Sequence, residues 1–104
     1  MLVVLTTTTN LDEAESLTEK IISLRLAACV QILPKITSVY YWEGEVKRER
    51  EHLLLIKTLP EKWNELHDLI IAEHSYAVPE IVALNAAHVS EPYLQWINKV
   101  IEGR

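Results

Sequence analysis

A chain of 104 residues suits one domain, able to bury roughly two-thirds of the surface its unfolded form exposes, enough for a single core. With 49% hydrophobic and 24% charged residues, two glycines, four prolines, no repeat and no low-complexity run, residues 1–104 read as one globular unit with no linker to divide them. Ten basic against fifteen acidic residues leave a formal charge of −5, which argues against nucleic acid and anionic membranes as partners; the densest basic cluster, Lys47, Arg48 and Arg50, is interleaved with Glu45, Glu49 and Glu51.

The N-terminal "MLVVLTTTT" lacks a basic leader and its apolar part is too short for a signal peptide or membrane span, so a cytoplasmic location is expected. Within it "LVVL", residues 2–5, is a short β-rich run that predicts a first strand. Asn10 or Asp12 can cap a helix over about 12–25, with Leu11, Ala14, Leu17, Ile21 and Leu24 on one face. "LAACVQILPKITSVYYW" is a long β-type run in which Pro34 removes a ladder donor, predicting a bulge near Pro34–Lys35. The glycine of "WEGEV" supplies a turn, so Ser38 to Trp42 and Val46 to Thr58 form a hairpin. A second helix is expected from Thr58, with Pro60 in its first turn, to about His74. "PEIVALNA" then reads as a fourth strand and "SEPYLQWINKVI" as a terminal helix capped by Ser90.

The order is β-α-β-β-α-β plus a C-terminal helix: an α+β, ferredoxin-like antiparallel sheet with helices on one face. A sheet with one wet face alternates apolar and polar residues, yet "LVVL", "LAACV", "HLLLI" and "IVAL" are apolar on both faces. Two or three helices cover only one of them. A symmetric assembly packing sheet against sheet is the simplest cover for the other.

Taken together, "RLAACVQI", "TSVYYWEGEV", Glu51, Lys57-Thr58, "HSYAVPEIVAL" and "YLQWI" resemble the CutA divalent-cation-tolerance family, in that family's order and over nearly the whole chain. The resemblance implies a PII-like homotrimer in the cytoplasm, a part in tolerance of copper and other divalent metals, and no catalytic reaction. It also implies where metal would bind: members that hold copper use a cysteine at the end of the first strand and histidines before the Tyr-x-x-Pro-Glu block. Thr6 stands at the cysteine position, and Glu73 and His74 stand before Ser75. Loss of the thiolate argues against tight Cu(I) binding.

From residue chemistry, His74 with Glu73 beside it is the best candidate ligand for a low-affinity copper or zinc ion; no organic cofactor is indicated. The plainer reading is a helix-terminal histidine on the dipole. His67 lies about 10.5 Å farther along the helix and cannot share an ion with it. His52 and His88 have no metal spacing, and Cys29 in "AACV" reads as a small buried hydrophobe. Glu80 could pair with Lys57 at the end of a neighbouring strand. If Glu51, Lys57, Tyr76 and Glu80 converge, they line an inter-subunit cleft for a small molecule or protein partner, or else form an interface salt-bridge network. Tyr40, Tyr41, Trp42 and Trp96 could stack on a ligand, though packing is their commoner use. The terminal "IEGR" matches a protease-recognition tetrapeptide and suggests no function.

Overall fold

The structure is a computed structural model that describes residues 1–103; Arg104, which closes the IEGR tetrapeptide, lies outside the described residues. Four strands form one antiparallel sheet: β1 (Leu2–Thr8), β2 (Cys29–Trp42), β3 (Glu45–Thr58) and β4 (Val82–Asn85), in the spatial order β2-β3-β1-β4. The helices are α1 (Leu11–Ser23), α2 (Trp63–Glu73) and α3 (Glu91–Glu102). The ferredoxin-like plan expected from the hydrophobic pattern is the one observed.

Local chemistry explains most boundaries. Asn10 caps α1, its side chain accepting from the Glu13 N–H at 2.8 Å, and Asp12 and Glu13 favour the positive end of the helix dipole. Ala14, Leu17 and Ile21 bury the inner stripe. The helix stops at Ser23 rather than 25, because Arg25 takes the left-handed conformation (φ 55°) that closes a helix. The second helix also starts later than expected. Thr58 stays in the sheet opposite Leu2, its hydroxyl donating to the Leu26 carbonyl at 2.6 Å, and a 3₁₀ turn at Pro60–Lys62 precedes α2.

At its other end β4 is shorter than "PEIVALNA". Only Val82–Asn85 pair with β1, from Leu5 back to Leu2; Pro79, Glu80 and Ile81 form the approach, where proline has no N–H for a ladder. Ser90 precedes α3 without a side-chain cap bond, and Gly103 ends that helix at φ 72°.

The hairpin β2–β3 determines the shape. At its tip Glu43 (φ 51°) and Gly44 (φ 79°) are both left-handed, as a two-residue turn matched to strand twist requires. Near its middle the bulge expected at Pro34–Lys35 is present: Leu33 faces Leu53 but Ile36 faces Glu51, so β2 has one extra residue, with Lys35 at φ 57°. Beyond Thr8 opposite His52, β3 has no partner on its β1 side, so residues 36–51 project as a two-stranded arm. The radius of gyration is therefore 14.4 Å with a longest extent of 47 Å, against about 13 Å for a compact chain of this length.

One sheet face is finished and the other is not. Val4, Leu54 and Ile56 are fully buried with Ala14, Leu17, Ile21, Leu66 and Ile70 of α1 and α2. The alternate residues Val3, Leu5, Leu53 and Leu55 are only half-buried, and Leu33, Val82 and Leu84 on that same face are exposed. The third helix does not cover them. It packs Ile97 and Ile101 with Leu59, Met1 and Ala28 at one end of the sheet.

Candidate functional site

His74 terminates α2 with both ring nitrogens in use. The Thr7 carbonyl lies 2.7 Å from Nε2 and can only accept, while the Tyr76 N–H lies 3.0 Å from Nδ1 and can only donate. The ring is therefore neutral, protonated on Nε2, and it stitches the segment after α2 to β1. Ser75 adds a hydrogen bond from its N–H to Glu13 Oε2 at 3.2 Å. Glu73 points elsewhere, forming a 2.6 Å ion pair with Lys20. Thr6 is completely buried, its hydroxyl without a hydrogen-bond partner.

These three residues do not fit a metal ion. A ligand nitrogen on His74 would have to give up one of its two bonds, and a hydroxyl in an apolar core is a poor donor for copper or zinc. Among the described residues, no three His, Cys, Asp or Glu side chains are grouped so as to hold a metal ion. The other histidines are dispersed: His67 sits against Trp63 and Asp68, His52 is half-buried on β3, and His88 is exposed before α3. Cys29 is half-buried opposite Lys57, not enclosed in the core as its apolar neighbours suggested.

A different constellation forms where the arm leaves the sheet. Glu51 is 6% exposed; its Oε2 accepts a 2.8 Å hydrogen bond from the Tyr76 hydroxyl, which in turn accepts from the Thr9 hydroxyl at 3.0 Å. Burial is the main reason the Tyr76 phenol is pushed up to about 12. The Thr9 bond lowers it, and the bond to anionic Glu51 raises it further. Around this pair lies a cavity of about 710 Å³, whose walls include Ser38, Tyr40, Trp42, Glu49, Val78 and Glu80.

Three of the four residues expected to converge, Glu51, Tyr76 and Glu80, line this cavity; Lys57 does not. Six residues along β3 from Glu51, Lys57 donates to Gln31 Oε1 at 2.8 Å and lies 5.7 Å from the Tyr93 ring centroid. The expected Lys57–Glu80 ion pair is thus replaced by a Lys57–Gln31 bond. Of the aromatic candidates, Tyr40 and Trp42 face the cavity, Tyr41 is 78% exposed on the opposite face of the arm, and Trp96 stacks at 5.7 Å on Tyr93 in α3.

The bulge makes this arrangement. Before it, odd-numbered β2 residues share a face with Leu53 and Leu55; after it, the even-numbered Ser38, Tyr40 and Trp42 share a face with Glu51, Glu49 and Lys47. Glu49 was not singled out in the sequence. Its spacing of two from Glu51 on a strand was the available signal.

A profile of the CutA1 divalent ion tolerance protein family matches residues 2–100. The divalent-cation tolerance protein CutA of Thermus thermophilus is 42% identical over 97 residues, 93% of this chain and 94% of that one. The chloroplastic CutA protein of Arabidopsis thaliana is 42% identical over 92% of this chain, which spans only 53% of the plant protein's length. Among solved structures, the periplasmic divalent cation tolerance protein CutA from Archaeoglobus fulgidus superimposes with a TM-score of 0.92 at 34% identity, over 97% of this chain and 99% of that one. The chain belongs to the CutA1 divalent ion tolerance family.

Proposed function

We propose that the chain is the protomer of a cytoplasmic, non-enzymatic homotrimer that contributes to tolerance of divalent metals, copper among them, as a binding protein of PII-like type. In this reading three copies pack by their uncovered sheet faces, and the cavity beside the arm, whose walls share that face with Leu53 and Leu55, becomes a ligand cleft between subunits. The observation that carries it is the second face of the sheet. Val3, Leu5, Leu33, Leu53, Leu55, Val82 and Leu84 form a continuous apolar surface with no cover from α1, α2 or α3. The tolerance role rests on family membership. The compartment is the one that the family resemblance implies.

Size-exclusion chromatography with light scattering tests the assembly. The expected mass is three times the 12.0 kDa protomer, and a monomer at micromolar concentration overturns it. Metal binding, where it occurs, is expected to be weak and not centred on His74, because that ring is engaged on both sides. Calorimetric titration of Cu²⁺ and Zn²⁺ should give the same isotherm for wild type and His74→Ala; loss of binding in the variant would restore His74 as a ligand.

A further inference from the structure

We propose that the cavity beside the arm takes a small organic cation, an aliphatic amine with one or two ammonium groups. The inference rests on reading that cavity as the ligand site and goes further by naming the ligand's chemistry. Three carboxylates, Glu49, Glu51 and Glu80, line the cavity against a single cation, Lys47, whose ammonium is already paired with Glu45 at 3.1 Å. Glu51 is the unusual member. Nearly enclosed, it receives one hydroxyl bond on Oε2, whereas a buried carboxylate needs opposite charge as well as hydrogen bonds to offset its lost hydration.

The remaining walls decide which cation. Among the described residues the acidic groups form no cluster that could hold a metal ion, which favours an organic cation over a bare one. Tyr40, Trp42 and Tyr76 bring aromatic rings to the walls, with which an ammonium can interact, and Val39, Ala77 and Val78 offer apolar surface to the methylenes between charges. A phosphate or carboxylate ligand would meet repulsion from the same three glutamates.

The test is titration of 1,4-diaminobutane into the assembled full chain at constant ionic strength, followed by calorimetry and by tryptophan fluorescence. Saturable binding is expected, with neutral 1,4-butanediol inert and Mg²⁺ unable to compete. Glu51→Gln, which keeps the acceptor for Tyr76, should weaken binding about tenfold, as loss of a charge-assisted bond implies. Exposed Glu80→Gln, which cannot disturb the core, should weaken it severalfold, and Trp42→Leu should remove the fluorescence response. Glu19→Gln removes the same charge from the outer surface of α1 and should change nothing. Equal weakening by Glu19→Gln and Glu51→Gln, equal binding of the diol, or no binding at all would overturn the proposal. Light scattering on the same samples separates the two readings. A trimer blind to the diamine but stabilised by an anionic or neutral metabolite keeps the ligand site and refutes its cationic class, whereas a monomer refutes the assembly itself.

Discussion

Along β3, neighbouring residues of the same chemistry meet two different fates. Leu54 and Ile56 point toward α1 and α2 and are fully buried, while Leu53 and Leu55 point the other way and are only half-buried. Composition cannot explain the difference, since all four are aliphatic and lie within one strand. What differs is that the chain supplies a cover for one face and none for the other. The first face is therefore where this chain gains its own stability, and the second is where it meets something else.

Substitutions on the two faces should separate those roles. The largest effect is expected from Leu55→Glu, which sets a charge on the uncovered face. The assembly should fall to monomers by light scattering while circular dichroism still reports folded chain; an unchanged mass would show that this face is not the interface. Leu54→Ala on the covered face should instead leave a cavity and cost about 2–5 kcal/mol in chemical denaturation, with the mass unchanged at concentrations where the chain is folded. If Leu55→Ala costs as much as Leu54→Ala and dissociates nothing, the contrast between faces fails.

Smaller effects lie at the junction of the two regions. His74→Ala removes the links to Thr7 and Tyr76 and should cost about 1–3 kcal/mol, with faster hydrogen exchange over residues 75–80. Tyr76→Phe should cost about 1 kcal/mol near neutral pH through loss of the bond to Glu51. Its pH signature is more specific. The Tyr76 phenol titrates near 12 in the folded chain against 10.0 when unperturbed, so the unfolded chain releases this proton first. Its stabilising contribution is complete below pH 10 and is lost as pH rises through about 12; the phenylalanine variant should show a shallower alkaline decline. Least of all, Lys20→Ala should cost no more than about 1 kcal/mol, because the pair with Glu73 is open to solvent and salt.

Much of the candidate site was legible residue by residue but not in its grouping. The spacing of "HSYAVPE" and the strand position of Glu51 pointed to Tyr76, Glu80 and Glu51, and those three do line one cavity. Sequence groups Lys57 with them as a partner for Glu80 on a neighbouring strand, yet it lies six residues of extended chain, about 20 Å, from Glu51 and so does not reach this cavity within one protomer. Sequence leaves His74 either a metal ligand or a helix-terminal histidine on the dipole, because it shows a side chain and not its neighbours. Only the approach of β1, which brings the Thr7 carbonyl to Nε2, reveals that the ring is consumed in holding the loop.

By itself the sequence determined the element order, the bulge after Leu33, the turn at Glu43–Gly44 and the presence of two apolar sheet faces. Each follows from short-range chemistry: hydrophobic period, a missing proline N–H, glycine's tolerance of positive φ. Tertiary structure alone decided which β2 residues face Glu51. The single extra residue at the bulge moves even-numbered side chains to that face, and its placement depends on pairing between strands twenty residues apart. It likewise decided that α3 would seal one end of the sheet and leave the second face bare, because where a helix docks depends on the surfaces that the rest of the fold has already filled.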